Sequence, residues 1–567
     1  MELPKMEHSK SEQLSAPQQL SSSSETDQDS VGQAYIHGWR LHLLSLSVAL
    51  CMFLVNIEVS IVGTSLVSIS DDLHGFDQAG WVVTGYLITY TSMIIIWAKL
   101  SDIFGRKLAT TTSVAIFVAF SGGCGAAQSM NQLIICRVFQ GIGAAGCSAL
   151  ALTVAYEMVP KEKYPVQAAQ LAAATAFGSL VGPLIGGGAS QNSQWRWVFL
   201  FNVPAGVVTI LLLFLMLPAN FPHQGDPSYH PPSWRQRLSG PSLARLDVSG
   251  AFLLLGATML LVAVLLEGGV SIAWSSATSI VLFVVSGVMW IAFVTNEWFL
   301  TSDKFRTEPI FPWRFLQDRA WMGTLLLSML SGIPYNIIVI DIPQRFQAVS
   351  SLTPFDAGVR LLPFNFLISF ATVLINIVAG ATGIPPIYLL FFGSIVQLIG
   401  LALFCTLPTD GTIPAAIYGY QVLSGFGIGC VMGILLQIPP HVVQKRDTAI
   451  SSGALLQFRV FGGALGLSIT TSAMNNYLSS HLPDAVGGTS SSTFLQSVEA
   501  IRQYPQDVQA QIIRAFAEGY NLQMKIMAGI AGFQVLVVGM LWRNPQIRVV
   551  SRKKATQEVT AELAEGK

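Results

Sequence analysis

Between residues 41 and 542 the chain alternates long apolar stretches with short polar ones. The apolar runs stand at about 41–69, 79–98, 108–128, 131–156, 165–188, 197–217, 248–267, 277–299, 321–341, 357–380, 385–407, 413–438, 450–474 and 521–542. Each suffices as a helix to cross a ~30 Å hydrocarbon core, which takes about 20 residues. The pattern predicts an all-α membrane protein with about fourteen transmembrane helices. Residues 1–38 are polar and serine-rich, with SSSSETDQDS at 21–30, too little apolar surface to order a core. They are expected to be a disordered cytoplasmic tail. No charged n-region runs directly into a short apolar segment with a cleavage site, so span 1 is expected to direct insertion itself.

Lysine and arginine give the orientation, because cytoplasmic loops retain them. Lys99, Arg106 and Lys107 follow span 2, and Lys161 and Lys163 follow span 4. Arg235, Arg237 and Arg245 follow span 6; Lys304, Arg306, Arg314 and Arg319 follow span 8; Lys445 and Arg446 follow span 12. The tail carries Arg543, Arg548, Arg552, Lys553 and Lys554. The loop after span 10 is the one even-numbered exit with neither residue, while SDDLHGFDQAG after span 1 and the turn after span 7 have none. Both termini are therefore expected in the cytoplasm. The segment 475–520, between spans 13 and 14, falls outside, and its amphipathic stretch QDVQAQIIRAFAEGY reads as a surface helix or as a lid over the mouth of the protein.

Composition agrees with the pattern. Only 11% of the 567 residues are charged, against about a quarter in a soluble domain, so lipid is the solvent. The formal net charge is zero, and no global field argues for nucleic acid. The six cysteines, Cys51, Cys124, Cys136, Cys147, Cys405 and Cys430, fall inside apolar runs without CxxC spacing and read as small packing residues. No HExxH and no GxxxxGK[ST] loop occurs, so neither a metal hydrolase nor an ATP-driven pump is suggested, and no metal or cofactor is expected.

An internal repeat is present. Gly141, Gly143, Gly178 and Gly182 match Gly425, Gly427, Gly462 and Gly466 in one gap-free register, which also lays VFQGIG on VLSGFG and Lys161 on Lys445. Spans 1–6 then recur as 9–14, with 7 and 8 inserted. Duplicated six-span halves are how many secondary transporters build alternating access. The expected organisation is a tail at 1–38, an N-terminal six-helix half at 39–217 and a cytoplasmic linker with two inserted helices at 218–300. A C-terminal six-helix half at 301–543, carrying the external segment, and a cytoplasmic tail at 544–567 complete it.

Four stretches resemble a known family. LIICRVFQGIGAA (133–145) resembles the span 4 motif of the major facilitator superfamily, and AKLSDIFGRK (98–107) its signature loop between spans 2 and 3. GSLVGPLIGG (178–187) is similar to the span 5 antiporter motif, and WRWVFLFNVPAG (195–206) to a segment entering span 6. With about fourteen spans, the chain resembles the fourteen-spanner drug/proton antiporters, in particular fungal multidrug and toxin efflux pumps. The resemblance implies gating roles for Asp102, Gly105, Arg106 and Lys107, and for Gly178, Gly182, Pro183, Gly186 and Gly187. Gly178, Gly182 and Gly186, four apart, line one helical face that admits a neighbouring backbone, and Pro183 removes a backbone donor. That face reads equally as static tight packing or as a rocking interface. Asp102 is placed to act as a latch by accepting bonds from a helix N-terminus or a basic partner. Ala98 and Ile103 depart from the family's glycine and basic residue, which implies a weaker latch, and the corresponding loop AGATGIPPIY (379–388) has no charge.

Ionisable groups inside spans cost about 2.5 to 3.5 kcal/mol each and persist only if paired or hydrated. Glu58, Arg137 and Arg459 are the deepest. Glu58, where the family usually has aspartate, is placed to load and release a proton, with Arg137 modulating it; the alternative is a permanent structural pair with an arginine. Arg459 reads as structural, snorkelling or bonded to facing carbonyls. Asp341, near the repeat equivalent of Glu58, and Arg360 are expected to flank the loop after span 9. Asn56, Gln140, Asn336, Asn365, Gln421 and Gln457 are candidates to line a substrate cavity, alongside Asn376, Gln397 and Gln437. Gln421 is the counterpart of Arg137, leaving the second half largely uncharged, and a neutral, amide-studded cavity suits bulky amphipathic molecules. The expectation is proton-coupled efflux of small hydrophobic or amphipathic compounds by a monomer, in the plasma membrane or alternatively the vacuolar membrane. Proton-coupled uptake of a nutrient or siderophore is the alternative, and an integral-membrane enzyme would need a nucleophile or metal cluster that is not visible.

Overall fold

The computed structural model describes residues 35–73, 78–160, 163–191, 194–223, 244–268, 272–301, 307–443, 447–481 and 505–546, and every structural statement below concerns these. Fourteen helices are long and apolar enough to cross a membrane. They are α1 (Trp39–Asp72), α2 (Ala79–Phe104), α3 (Arg106–Ala126), α4 (Met130–Glu157), α5 (Tyr164–Gln191), α6 (Arg196–Met216, interrupted at Phe201), α7 (Val248–Glu267), α8 (Ala277–Leu300), α9 (Arg319–Ser350), α10 (Leu362–Thr382), α11 (Pro386–Phe404), α12 (Ala416–Gln437), α13 (Thr448–His481) and α14 (Gln506–Val538). Helix is forced because lipid satisfies no backbone group. The termini show ordinary capping chemistry: Ser129, Asp247, Ser276 and Asp318 accept from backbone N–H groups at the starts of α4, α7, α8 and α9. Between α2 and α3 the chain turns on Gly105 at φ 93°, and between α10 and α11 on Gly383 at φ 67°. A side chain is strained there, so the two equivalent loops share a glycine turn although only the first is charged.

The repeat is visible in the packing. In the first half α1 packs on α5, α2 and α3 on α4, and α6 on α1 and α3; in the second α9 packs on α13, α10 and α11 on α12, and α14 on α9 and α11. The glycine pairs meet equivalent backbones. A Cβ at Gly143 would stand 2.4 Å from Phe117 N, and one at Gly427 2.3 Å from Gln397 N. One at Gly178 would stand 2.8 Å from Phe53 O, and one at Gly462 2.0 Å from Met329 O. Each half has its own buried apolar core. The halves meet through α5 on α10 and through α2 and α4 on α13. α7 rests on α2 and α13 and carries α8 on its far side, where Val281, Val284, Val288 and Ile291 of α8 stay exposed as lipid-facing positions.

Two expectations need correction. α9 continues to Ser350, so Asp341 lies inside the helix, buried, and does not flank a loop; hydropathy misses this because the extension leaves the apolar slab. Arg360 does follow α9, just past the short helix Pro354–Val359, and donates to Tyr418 Oη at 2.6 Å. The amphipathic stretch after residue 505 is the first part of α14 rather than a separate surface helix. Its apolar stripe, Ile512, Phe516 and Tyr520, is buried against Ala348 and Val349 of α9 and Met474 and Leu478 of α13, while Arg514 pairs with Glu518 on the other face at 2.9 Å. Residues 482–504, the rest of that external segment, lie outside the described residues, as do the tails expected at 1–34 and beyond 546.

Candidate functional site

We call inner the face onto which the basic even-numbered loops open. In the outer part of the first half, Glu58 of α1 is ion-paired with Arg137 of α4, and both are buried. Arg137 stands seven residues into α4, about 10 Å along the axis. Its Nε donates to Val82 O at 2.9 Å and its guanidinium also donates to Gln140 Oε1 at 2.8 Å. Gln140 donates onward to Ser121 Oγ at 2.8 Å, and the guanidinium lies over the Tyr86 ring at 4.2 Å. The second carboxylate oxygen of Glu58 accepts from Asn202 Nδ2 of α6. Five helices of one half therefore converge on a single charge pair. Asn202 is missing from the sequence expectations although it stands in the quoted FNVPAG segment.

At the inner face the charged loop closes on itself. Arg106 pairs with Asp102 at 2.5 Å and with Glu157 of α4 at 2.7 Å, and donates to Ser101 Oγ at 2.6 Å. Asp102 thus finds its basic partner one turn on in its own half. Lys107 donates to Phe214 O at 2.7 Å. The ion pair that leaves this half is Lys99 of α2 with Glu308, which precedes α9, at 2.7 Å; Arg245, ahead of α7, holds the other Glu308 oxygen at 2.7 Å. Burial alone would push the Glu308 carboxyl up, but Lys99 and Arg245 outweigh it and hold it below its ordinary value. Beside this triad the halves touch directly. Ile95 N donates to Gln457 Oε1 at 3.3 Å, Tyr156 Oη donates to Leu436 O at 3.1 Å, and a Cβ at Gly453 would lie 3.2 Å from Ala98 Cβ.

The remaining expected residues separate by position. Gly178 of α5 faces α1 of its own half, near Phe53 O, Ile57 N and Asn56, and Ser65 of α1 donates to Gly186 O at 3.2 Å. Gly182 is buried, while the surroundings of Pro183 and Gly187 fall outside the described residues. This glycine face packs within a half; α5 meets the other half through α10. Midway through the bundle, Asn56 donates to Met52 O at 2.7 Å and Asn336 to Gly332 O at 3.0 Å. Near them two tyrosines absent from the sequence expectations carry polar contacts: Tyr335 Oη with Ser179 Oγ of the other half at 3.4 Å, and Tyr90 Oη with Ser148 Oγ at 3.2 Å. Gln140 belongs to the Arg137 network, Gln457 to the inner contact, and Asn365 and Gln421 are buried. Asn376 is paired with Gln437, and Gln397 with Gln534, so these amides tie helices together. Arg459 of α13, expected to snorkel or to bond facing carbonyls, has no hydrogen bond or ion pair among the described residues, and Tyr90 lies within its electrostatic reach. No group of three or more metal-ligating side chains occurs among the described residues.

The comparisons with known proteins agree with this architecture. An MFS-type transporter, FPY5, of Fusarium mangiferae is 37% identical over 517 residues, spanning 91% of this chain and 86% of that protein. The efflux pump FUS6 of Gibberella fujikuroi is 28% identical over 88% of each chain. A bacterial homolog of the human lysosomal transporter Spinster, solved inward-facing and unoccupied, shares the fold at TM-score 0.55 and 14% identity, over 90% of this chain and 100% of that one. A sequence model of the Major Facilitator Superfamily matches residues 48–467. With two six-helix halves in one repeat and that match across most of its length, the chain belongs to the major facilitator superfamily, a multi-pass membrane transporter.

Proposed function

We propose that the protein exports small hydrophobic or amphipathic compounds across the plasma membrane in exchange for protons, working as a monomer. The observation that carries this reading is the Glu58–Arg137 pair, a carboxylate and its counter-ion buried where four further groups are organised around them. Protonation of Glu58 cancels the ion pair and leaves Arg137 held by Val82 O, Gln140 and the face of the Tyr86 ring. The five helices it ties together then lose their strongest mutual contact, and the half can repack against its partner. Deprotonation toward the cytoplasm restores the pair. The inner contacts through Lys99, Glu308, Tyr156 and Gln457 open and close in the same cycle. That relatives of similar length are named efflux pumps supports the outward direction.

The coupling is energetically sufficient. A proton entering down one pH unit and 100 mV releases about 3.7 kcal/mol, enough to sustain a roughly 500-fold gradient of a neutral substrate at 1.4 kcal/mol per decade. The test is accumulation of a panel of amphipathic compounds in inside-out vesicles with and without an imposed pH gradient. Uptake driven by an acidic lumen supports antiport export. Uptake that ignores the gradient, or that needs the opposite gradient, removes it.

A further inference from the structure

Arg459 stands eleven residues into α13, roughly 16 Å along the helix and so near the middle of a ~30 Å core. A cation at that depth persists only if it is paired, hydrated or functional. The other buried arginines of the helices are satisfied: Arg137, deep in α4, by Glu58, and Arg345, in the outer extension of α9, by the carbonyls of Ala517 and Pro408 and the side chain of Asn521. Arg459 has no such partner among the described residues, and its side chain is only partly buried.

The surroundings point it at the space between the halves. Its backbone carbonyl lies against Gly332 of α9, 2.0 Å from where a Cβ there would stand, while its neighbours on α13 meet the first half: Leu456 and Val460 pack in that half's core and Gln457 accepts from Ile95 N. One turn on from Gly332, Tyr335 bridges to Ser179 of the first half, and Tyr90 of α2 is within electrostatic reach of both Arg459 and Tyr335. The repeat register lays Arg459 on Thr175, a neutral residue bonded to Asn56 at 3.5 Å. The charge thus stands on one side of the centre only, with Tyr90 of the other half within its electrostatic reach.

We propose that Arg459 is the docking cation for the substrate, and that the exported compounds are organic anions, an apolar aromatic or alicyclic body bearing a carboxylate. The planar guanidinium matches a carboxylate with two parallel N–H donors, while Tyr335, only partly buried, offers an aromatic surface to the body and a hydroxyl to its polar edge. This rests on the export reading for its direction but not for its chemistry.

The test is equilibrium binding to the purified full chain at neutral pH with no gradient, using three acid and amide pairs: naphthalene-1-carboxylate and 1-naphthamide, indole-3-acetate and indole-3-acetamide, 4-phenylbutyrate and 4-phenylbutyramide. Wild type is expected to bind at least one acid about tenfold tighter than its amide. Arg459→Gln is expected to weaken that acid by about ten- to a hundredfold and to leave the amide within about twofold. Arg459→Lys keeps the charge without the fork and retains part of the preference; where the glutamine variant does not fold, it carries the test alone. Wild type that binds none of the acids, or binds acids no better than amides, overturns the proposal, as does an Arg459 variant, the lysine one included, that weakens acid and amide equally. Because no proton gradient is present, failure here leaves antiport untouched, and loss of gradient-driven accumulation leaves this binding result standing.

Discussion

Glu58 and Arg137 are 79 residues apart in the chain and form a buried ion pair inside the first half. The pair gives the permanent structural contact and the proton carrier the same resting geometry. What separates them is the consequence of removing one partner or of removing titration.

Removing only the cation leaves a buried carboxylate uncompensated, which costs about 3 to 5 kcal/mol. Arg137→Leu is therefore expected to lower the thermal unfolding temperature of the purified protein markedly. Adding Glu58→Gln should recover most of the loss. Thermal unfolding of the two single variants and the double variant, treated as a cycle, measures the coupling; additive losses would remove the pair from the account.

The glycine face of α5 makes a sharper steric prediction. Gly178→Leu drives side-chain atoms into the α1 backbone at Phe53 and Ile57, and overpacking of this kind costs about 1 to 3 kcal/mol. Efflux should fall severely in membranes that still hold the protein. Gly188 lies on the same helix with nothing within 4 Å of its Cβ site, so Gly188→Ala should be close to silent. Equal effects of the two substitutions, read as initial efflux rates per inserted protein, would contradict the packing.

The Lys99–Glu308–Arg245 triad predicts a charge effect at the inner face. Glu308 is 40% exposed at its side chain, so each pair is worth only about 0.2 to 1 kcal/mol. Glu308→Lys should accelerate inner opening up to about fivefold, read as labelling of a cysteine introduced at Ala98. Combined with Lys99→Glu the rate should return part of the way. Because the Glu308 carboxyl is held below its ordinary value, the triad is complete above that value and is lost only as pH falls through the lower, folded-state one. The ratio of the labelling rate of wild type to that of Glu308→Gln, both carrying the introduced cysteine so that the thiol's own titration cancels, should therefore be flat between about pH 6 and 8 and rise toward one only in strong acid.

The spans and the repeat were legible in the sequence for a physical reason. Lipid requires unbroken apolar helices, and close backbone approach at Gly143, Gly178, Gly427 and Gly462 requires glycine at fixed positions. Glu58 and Arg137 announced themselves by their cost. Their partner Asn202, and the tyrosines at 90 and 335, did not, because an amide or phenol is unremarkable in a span until a neighbour from another helix is known. The outer ends of α9, α13 and α14 were misjudged because they bury their apolar stripe against protein beyond the bilayer, where hydropathy no longer marks the helix. Glu308 was missed as a latch because its partner Lys99 is 209 residues away and nothing local links them.

The central claim is that the transported proton rides on Glu58, and the most direct measurement is gradient-driven accumulation by Glu58→Gln in inside-out vesicles, set beside wild type at equal protein. Glutamine keeps the size, can accept from Arg137 through its amide oxygen and can donate to Asn202 once that amide turns its oxygen inward, but cannot titrate. Wild type should accumulate substrate in proportion to the imposed pH difference. Glu58→Gln should bind substrate and permit downhill exchange, with accumulation falling to the level seen without a gradient. A Glu58→Gln protein that still concentrates substrate in proportion to the pH difference would contradict the account and move the proton to another group, with the buried Asp341 the next to test.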